Sequence, residues 1–485
     1  MKDLKTRAIR GGVARLFGQV ANFIIRLCFV VVMARLLDPA EFGLVAMVTA
    51  VTGMYDLLTT AGLSSATVQK DTVSNEQLST LFWVNILVGC FLGLLCLATA
   101  PVLVNFYGEP RLFWITVAMA AGFLCSAAGV QHYAILQRQL RYVAITVIET
   151  ASSLTAIAIA IAMAVGGFGY WALVASSVAA PVITTTLMWA ATAWIPGLPR
   201  RNSGIGSMLR FGATVTLNGL VVYVAYNFDK ILVGRYWGAD ALGIYGRAYQ
   251  LVNTPIANLS SAVGGVAFSA LSRLQDDPIR FKNYFLKGFS LVVSLTMPTA
   301  VFFALLAEDI VVVVLGEKWM AAADIFRLLA PTVLIFGIIN PLGWLLVASG
   351  LQTRSLFIAF AIAPLVTAAY LIGLPYGPKG VAFAYSAAMA LWLMPHVLWC
   401  LHGTAVKPRE FLKACYPPAL ASIVAAAAVF GARYFLDSPG QPMLRLLVGS
   451  LVMAAVYVWM LLFVMGQKAF YFDLLRGLKS PARSV

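Results

Sequence analysis

The sequence predicts an all-helical integral membrane protein of about fourteen transmembrane helices: two six-helix lobes, then two further helices. Three observations predict it. Of 485 residues, 61% are hydrophobic and only 11% charged, with a mean hydropathy of +0.88. A soluble chain cannot cover its surface at that composition. Apolar stretches of spanning length recur from end to end, and one block of sequence returns at an offset of about 200 residues.

A span needs about 20 mostly apolar residues. The first lobe (1–205) holds spans at roughly 11–37, 42–62, 78–105, 112–130, 142–166 and 168–194. The second (206–405) holds them at roughly 211–236, 241–265, 284–307, 322–348, 352–374 and 378–402. The remainder (406–485) adds roughly 414–436, 442–466 and a tail. The basic start, Met1–Arg10, leads into an apolar run too long for a cleaved signal peptide, so it reads as a retained first span. The repeat supports the two lobes. Arg10-Gly11-Gly12 matches Arg210-Phe211-Gly212. Arg35-Leu36-Leu37 with Phe42-Gly43-Leu44 matches Arg235-Tyr236-Trp237 with Leu242-Gly243-Ile244. Parallel repeats of this kind mark transporters that bind cargo between their lobes.

The net charge of +15 follows from insertion rather than from a nucleic-acid partner. With the N-terminus inside, about 22 of the 34 basic residues fall in inner segments and about nine outside. An even number of spans returns the C-terminus to the cytoplasm. The outer segments carry acids: Asp38, Glu41, Glu308, Asp309 and Glu317, the last three read as a solvated turn in preference to an acid cluster. Trp114, Trp194, Trp237 and Trp319 near span ends fit an interfacial belt. The six cysteines form no Cys-x-x-Cys pair and the three histidines show no zinc spacing, so neither a metal nor another cofactor is expected. No Walker A sequence, nucleophile elbow or dinucleotide fingerprint occurs.

Polar residues inside spans are the functional candidates, because a charge in the bilayer is costly unless it faces a cavity or a partner. Arg15, Gln19, Asn22 and Arg26 fall on one stripe of span one, roughly 40–60° wide. Span seven carries Tyr223, Tyr226, Asn227 and Lys230 on a face roughly 100° wide. Arginine's planar fork suits phosphate oxygens, and Asn and Tyr suit sugar hydroxyls. Arg15 and Lys230 also lie where side chains snorkel to the headgroups, and Lys230 has neighbouring Asp229 as an alternative ion-pair partner. Asp56 in span two is a coupling site or an ion-pair partner of Arg15, and Glu149 in span five is a proton or cation site or an interfacial acid. Asn85, Asn253 and Asn258 are expected to hydrogen-bond between helices, and His396 to pack. Pro255, Pro298, Pro331, Pro341, Pro364 and Pro395 permit kinks.

Ala34-Arg35-Leu36-Leu37 with Phe42-Gly43, Leu136-Gln137-Arg138, Leu274-Gln275-Asp276-Asp277, Gly316-Glu317-Lys318-Trp319 and Asn340-Pro341-Leu342-Gly343 occur in this order along the chain. With these motifs the chain resembles the Wzx-type polysaccharide transporters of the MOP superfamily, in the branch exporting colanic acid and related exopolysaccharides. The resemblance implies a flippase, not an enzyme. It would move an undecaprenyl-diphosphate-linked oligosaccharide across the bacterial inner membrane, by alternating access of two lobes set in a V, and deliver it to a polymerisation machinery. The lipid II flippase, a distant relative, spaces the arginines of its first helix differently, so no residue is carried over from it. Two other functions compete. A MATE-like exporter of cationic drugs would be opposed by the charges of Arg15, Arg26 and Lys230. An integral polysaccharide polymerase or glycosyltransferase would need more outer loop than roughly 307–321 supplies.

Overall fold

The computed structural model describes residues 23–60, 67, 73–200, 206–435, 441–469 and 471–472. Among the described residues the regular structure is helical, with no strand. Two compact units divide the chain, Met1–Gly246 and Arg247–Val485.

The first unit begins with α1 (residues 23–36) and α2 (Pro39–Thr60). There follow α3 (Asn75–Tyr107), α4 (Leu112–Arg138), α5 (Tyr142–Val165) and α6 (Trp171–Thr192). The start of α3 is written in its sequence. Ser74 Oγ accepts from the Gln77 amide at 3.2 Å and Gln77 Oε1 accepts from the Ser74 amide at 3.2 Å, a reciprocal cap. Gly108, at φ +71°, ends the helix in the left-handed region. The α3–α4 pair packs closely because Gly89 lies against Ala127. α2 and α6 pack on α4, and α5 on α6. Asn85 is an exception to expectation: it is buried, yet neither atom of its amide has a hydrogen-bond partner, so it does not tie two helices together.

α7 (Gly206–Ser272) runs from the first unit into the second and breaks at Gly238, where φ is +81° and ψ −176°. Just past the break the two copies of the repeat touch. A Cβ on Gly43 would collide with the carbonyl oxygen of Ala239, and one on Gly243 with the carbonyl oxygen of Pro39. Pro39 and Ala239, like Gly43 and Gly243, stand 200 positions apart. The contact is therefore reciprocal, as across a local two-fold axis. Only glycine permits so close a backbone approach.

The second unit holds α8 (Pro278–Leu305), α9 (Ala307–Val314), α10 (Ala321–Leu329), α11 (Pro331–Ala348) and α12 (Gln352–Gly373). α13 (Gly377–Leu401), α14 (Pro408–Phe435) and α15 (Pro442–Trp459) complete it. α8 packs against α11 and α14 around Phe281, Phe285, Phe289, Leu342, Leu345 and Phe411, with Phe289 stacked on Phe411 at 4.2 Å. α12 and α13 fold back on each other through a 3-10 turn at Leu374–Tyr376, with Gly373 against Gly380.

Ten helical stretches among the described residues are long and apolar enough to cross a membrane. One of them, Gln352–Leu401, holds both α12 and α13 and so makes two crossings. α7 also has spanning length: residues 239–272 alone rise roughly 50 Å.

Two expectations need correction. Trp319 is fully buried within the protein and so offers no surface to lipid headgroups. Glu308 and Asp309 are not a solvated turn. Glu308 takes Arg327 at 2.7 Å and Arg433 at 3.5 Å, and buried Asp309 takes Arg445 Nε at 2.9 Å. Arg327 Nε and Arg433 Nη1 also donate to the last carbonyls of α8, Ala304 and Leu305, at 3.3 and 2.8 Å. Positive charge at a helix C-terminus is favourable, so the network both pairs the acids and closes α8.

The Arg327 hydrogen bond, with the Arg327 and Arg433 charges, holds the Glu308 carboxyl below its ordinary value of 4.5. The unfolded chain therefore binds more protons than the folded one around and below pH 4.5, and stability rises with pH there. The contribution is present above pH 4.5 and lost as pH falls through the depressed value. Thermal unfolding in detergent is expected to be insensitive to Glu308→Gln in its acid slope above pH 6. Below pH 4.5 the variant's slope should be shallower than that of the wild type; equal slopes refute the assignment.

Candidate functional site

The span-seven residues are brought together in the first half of α7. Tyr223 lays its ring over Gly53 of α2, where any Cβ would strike its hydroxyl. That hydroxyl donates toward the Thr49 and Ala50 carbonyls at 3.1 and 3.3 Å. Tyr223 is thus a strut between α7 and α2, its donor engaged in packing rather than free for a sugar. One turn on, Asn227 Nδ2 donates to the Tyr223 carbonyl at 2.9 Å, and Asn227 Oδ1 accepts from Lys230 Nζ at 2.5 Å. The ammonium is therefore drawn back along its own helix toward Tyr223 and does not simply extend outward. Neighbouring Asp229 points elsewhere. It is fully buried, accepting from the Tyr245 hydroxyl at 2.7 Å and the Lys230 amide at 2.8 Å.

Asp56 is exposed on α2, three residues beyond Gly53, on the face that receives Tyr223. Arg26 is exposed on α1. Glu149 is exposed on α5, which packs on α6 and α4. Arg15, Gln19 and Asn22 lie outside the described residues. Among the described residues no cluster of His, Cys, Asp or Glu could hold a metal ion.

One candidate feature was missed in the sequence. Arg247, Gln250, Thr254 and Asn258 share a stripe on the second half of α7, in the second unit. Arg247 Nη1 bonds Gln250 Oε1, Thr254 Oγ1 donates to the Gln250 carbonyl at 2.6 Å, and Asn258 Nδ2 donates to the Thr254 carbonyl at 2.8 Å. Asn258 thus bonds its own helix, not another. The signal was available: spacings of three, four and four place all four residues on one face.

The profile of the family described as polysaccharide biosynthesis protein matches residues 32–324, more than half of the chain. The chain belongs to that family. This family member is 31% identical to the teichuronic acid biosynthesis protein TuaB of Bacillus subtilis (strain 168), over 60% of each chain. It is 25% identical to the lipopolysaccharide biosynthesis protein WzxC of Escherichia coli (strain K12), over 65% of each. It thus spans less than two thirds of either relative's length. Among solved structures it resembles the lipid II flippase MurJ in an inward closed conformation. The TM-score is 0.74 at 17% identity, over 96% of this chain and 100% of that one. At that identity the likeness is one of fold.

Proposed function

We propose that this family member is a flippase for a polyprenyl-diphosphate-linked oligosaccharide, working by alternating access in the bacterial inner membrane. The observation that carries the reading is the Asn227–Lys230 pair: a cationic head held by a neutral amide, in a chain of polysaccharide biosynthesis type. A diphosphate is the anion such a head suits, and Arg26 on α1 supplies a second cation. Arg15, Gln19 and Asn22 extend the Arg26 stripe, and the basic inner segments argue for both termini in the cytoplasm. Tyr223 holds α7 on α2 and so positions Asn227. Asp56 and Glu149 serve as the ion-coupling acids. The two lobes are 1–205 and 206–405, with the last two spans and the tail in 406–485. The carrier is undecaprenyl diphosphate, and the flipped unit passes to the polymerisation machinery.

Lipid extracts from a deletion strain with no redundant flippase test this. The deletion should accumulate the lipid-linked repeat unit, and wild type should clear it. Lys230→Ala, expressed normally, should leave about tenfold more than wild type, the cost of losing one charged hydrogen bond. A deletion that accumulates nothing while polymer is still exported would overturn the flippase. Clearance by Lys230→Ala at the wild-type rate would remove Lys230 from the mechanism.

A further inference from the structure

α7 is built the wrong way round for a helix facing lipid. On its second half Tyr245, Ala248, Val252 and Ile256 are buried, and all four are apolar or aromatic. The opposed face carries Arg247, Gln250, Thr254 and Asn258 within roughly 80°. Of these Gln250 and Asn258 are exposed, and Arg247 and Thr254 half-buried. Helices of the same unit show the reverse. α13 exposes Phe383, Leu391, Met394 and Leu398, and α15 exposes Leu444, Leu447, Leu451 and Val458. Polar groups left against hydrocarbon cost several kcal/mol each, which rules out lipid as the neighbour of this stripe.

The internal repeat sharpens the point. At the offset of 200 the corresponding residues are Met47, Ala50, Met54 and Leu58. Met47 and Ala50 are buried, and Met54 and Leu58 pack against the cluster of Tyr55, Leu92, Cys96 and Phe123. One copy of the face is apolar core. The other has become polar at all four positions while keeping its length and helicity. Helix packing does not demand that change.

The chemistry of the stripe distinguishes its ligand. Gln250 keeps its amide donors after Oε1 is taken by Arg247, and Asn258 keeps its Oδ1 acceptor after Nδ2 is taken by the backbone. Neutral groups that both donate and accept, spread over about two turns, match a row of hydroxyls rather than a diphosphate, which asks for positive charge. We propose that Gln250, Thr254 and Asn258 read the saccharide of the cargo, with Arg247 fixing the orientation of Gln250. This rests on the lipid-linked oligosaccharide reading above.

Native mass spectrometry of the full-length protein tests it with two probes. They are undecaprenyl diphosphate, and the undecaprenyl-diphosphate-linked oligosaccharide extracted from the deletion strain. Wild type should bind the sugar-bearing lipid more tightly. Gln250→Leu/Asn258→Leu should lose that preference, with affinity for the sugar-bearing lipid falling about tenfold for two hydrogen-bonding side chains. Affinity for the bare diphosphate should not change. Should the double variant not fold, Gln250→Met, close in shape, carries the same test at about threefold. A variant that keeps the preference, or loses both lipids equally, overturns the stripe's role and leaves the flippase intact. Wild type that binds neither lipid overturns the flippase reading itself.

Discussion

Gly43→Leu is expected to cut polymer export at least about fivefold in a complemented deletion strain, with the protein still present in the membrane. The reason is local. A side chain at Gly43 collides with the Ala239 backbone carbonyl, which cannot swing aside as a side-chain end could. The start of α2 must then part from the chain just beyond the Gly238 break. Overpacking of this kind costs roughly 1–3 kcal/mol, which shifts an equilibrium between touching and parted states by about 5- to 150-fold. In the alternating-access cycle proposed above both states are visited, and losing either slows it. Gly243→Leu meets the Pro39 carbonyl in the same way and should behave alike. Gly246→Ala, where an added Cβ meets nothing within 4 Å, is the control and should export normally. Wild-type export by both leucine variants would show that the contact never matters to the cycle.

The second large effect is on stability. Asp309 is 1% exposed and its one ion-pair partner is Arg445, whose side chain is 19% exposed. Its other oxygen, Oδ2, has no hydrogen-bond partner. Arg445→Met strands a buried carboxylate, and breaking such a pair from one side costs roughly 3–5 kcal/mol. The variant should unfold at a clearly lower temperature in detergent. Arg445→Met combined with Asp309→Leu should recover most of the loss, because replacing a buried pair by apolar groups of similar size is often neutral. A double variant as unstable as the single would mean that the loss comes from packing around Gly449 and Leu306 instead.

Much of the architecture was legible in the sequence because the membrane enforces it. Apolar length read directly as spans, and the offset of 200 led to the two copies that meet at Gly43 and Gly243. What was not legible depends on partners distant in sequence. Arg433 and Arg445 lie more than 120 residues from the acids they pair, so Glu308 and Asp309 looked like any polar turn. Tyr223 looked like a sugar contact, and only the structure shows its hydroxyl directed at the α2 backbone. Asn258 looked like a link between helices because an amide in a span is usually one. Its exposure, together with that of Gln250, is what turned it into part of a surface.

The meeting of the two copies carries a consequence for evolution within one chain. In a homodimer every substitution appears on both sides of the axis, so the two copies stay identical. Here the joint keeps its reciprocity, while the sequences on either side of it have diverged independently: Val30 against Lys230, Arg26 against Tyr226, Met47 against Arg247. Symmetry survives where two backbones must fit and is broken where they need not. A molecule with unlike ends, charged at one and hydroxylated at the other, is the kind of passenger for which a duplicated chain gains by such divergence.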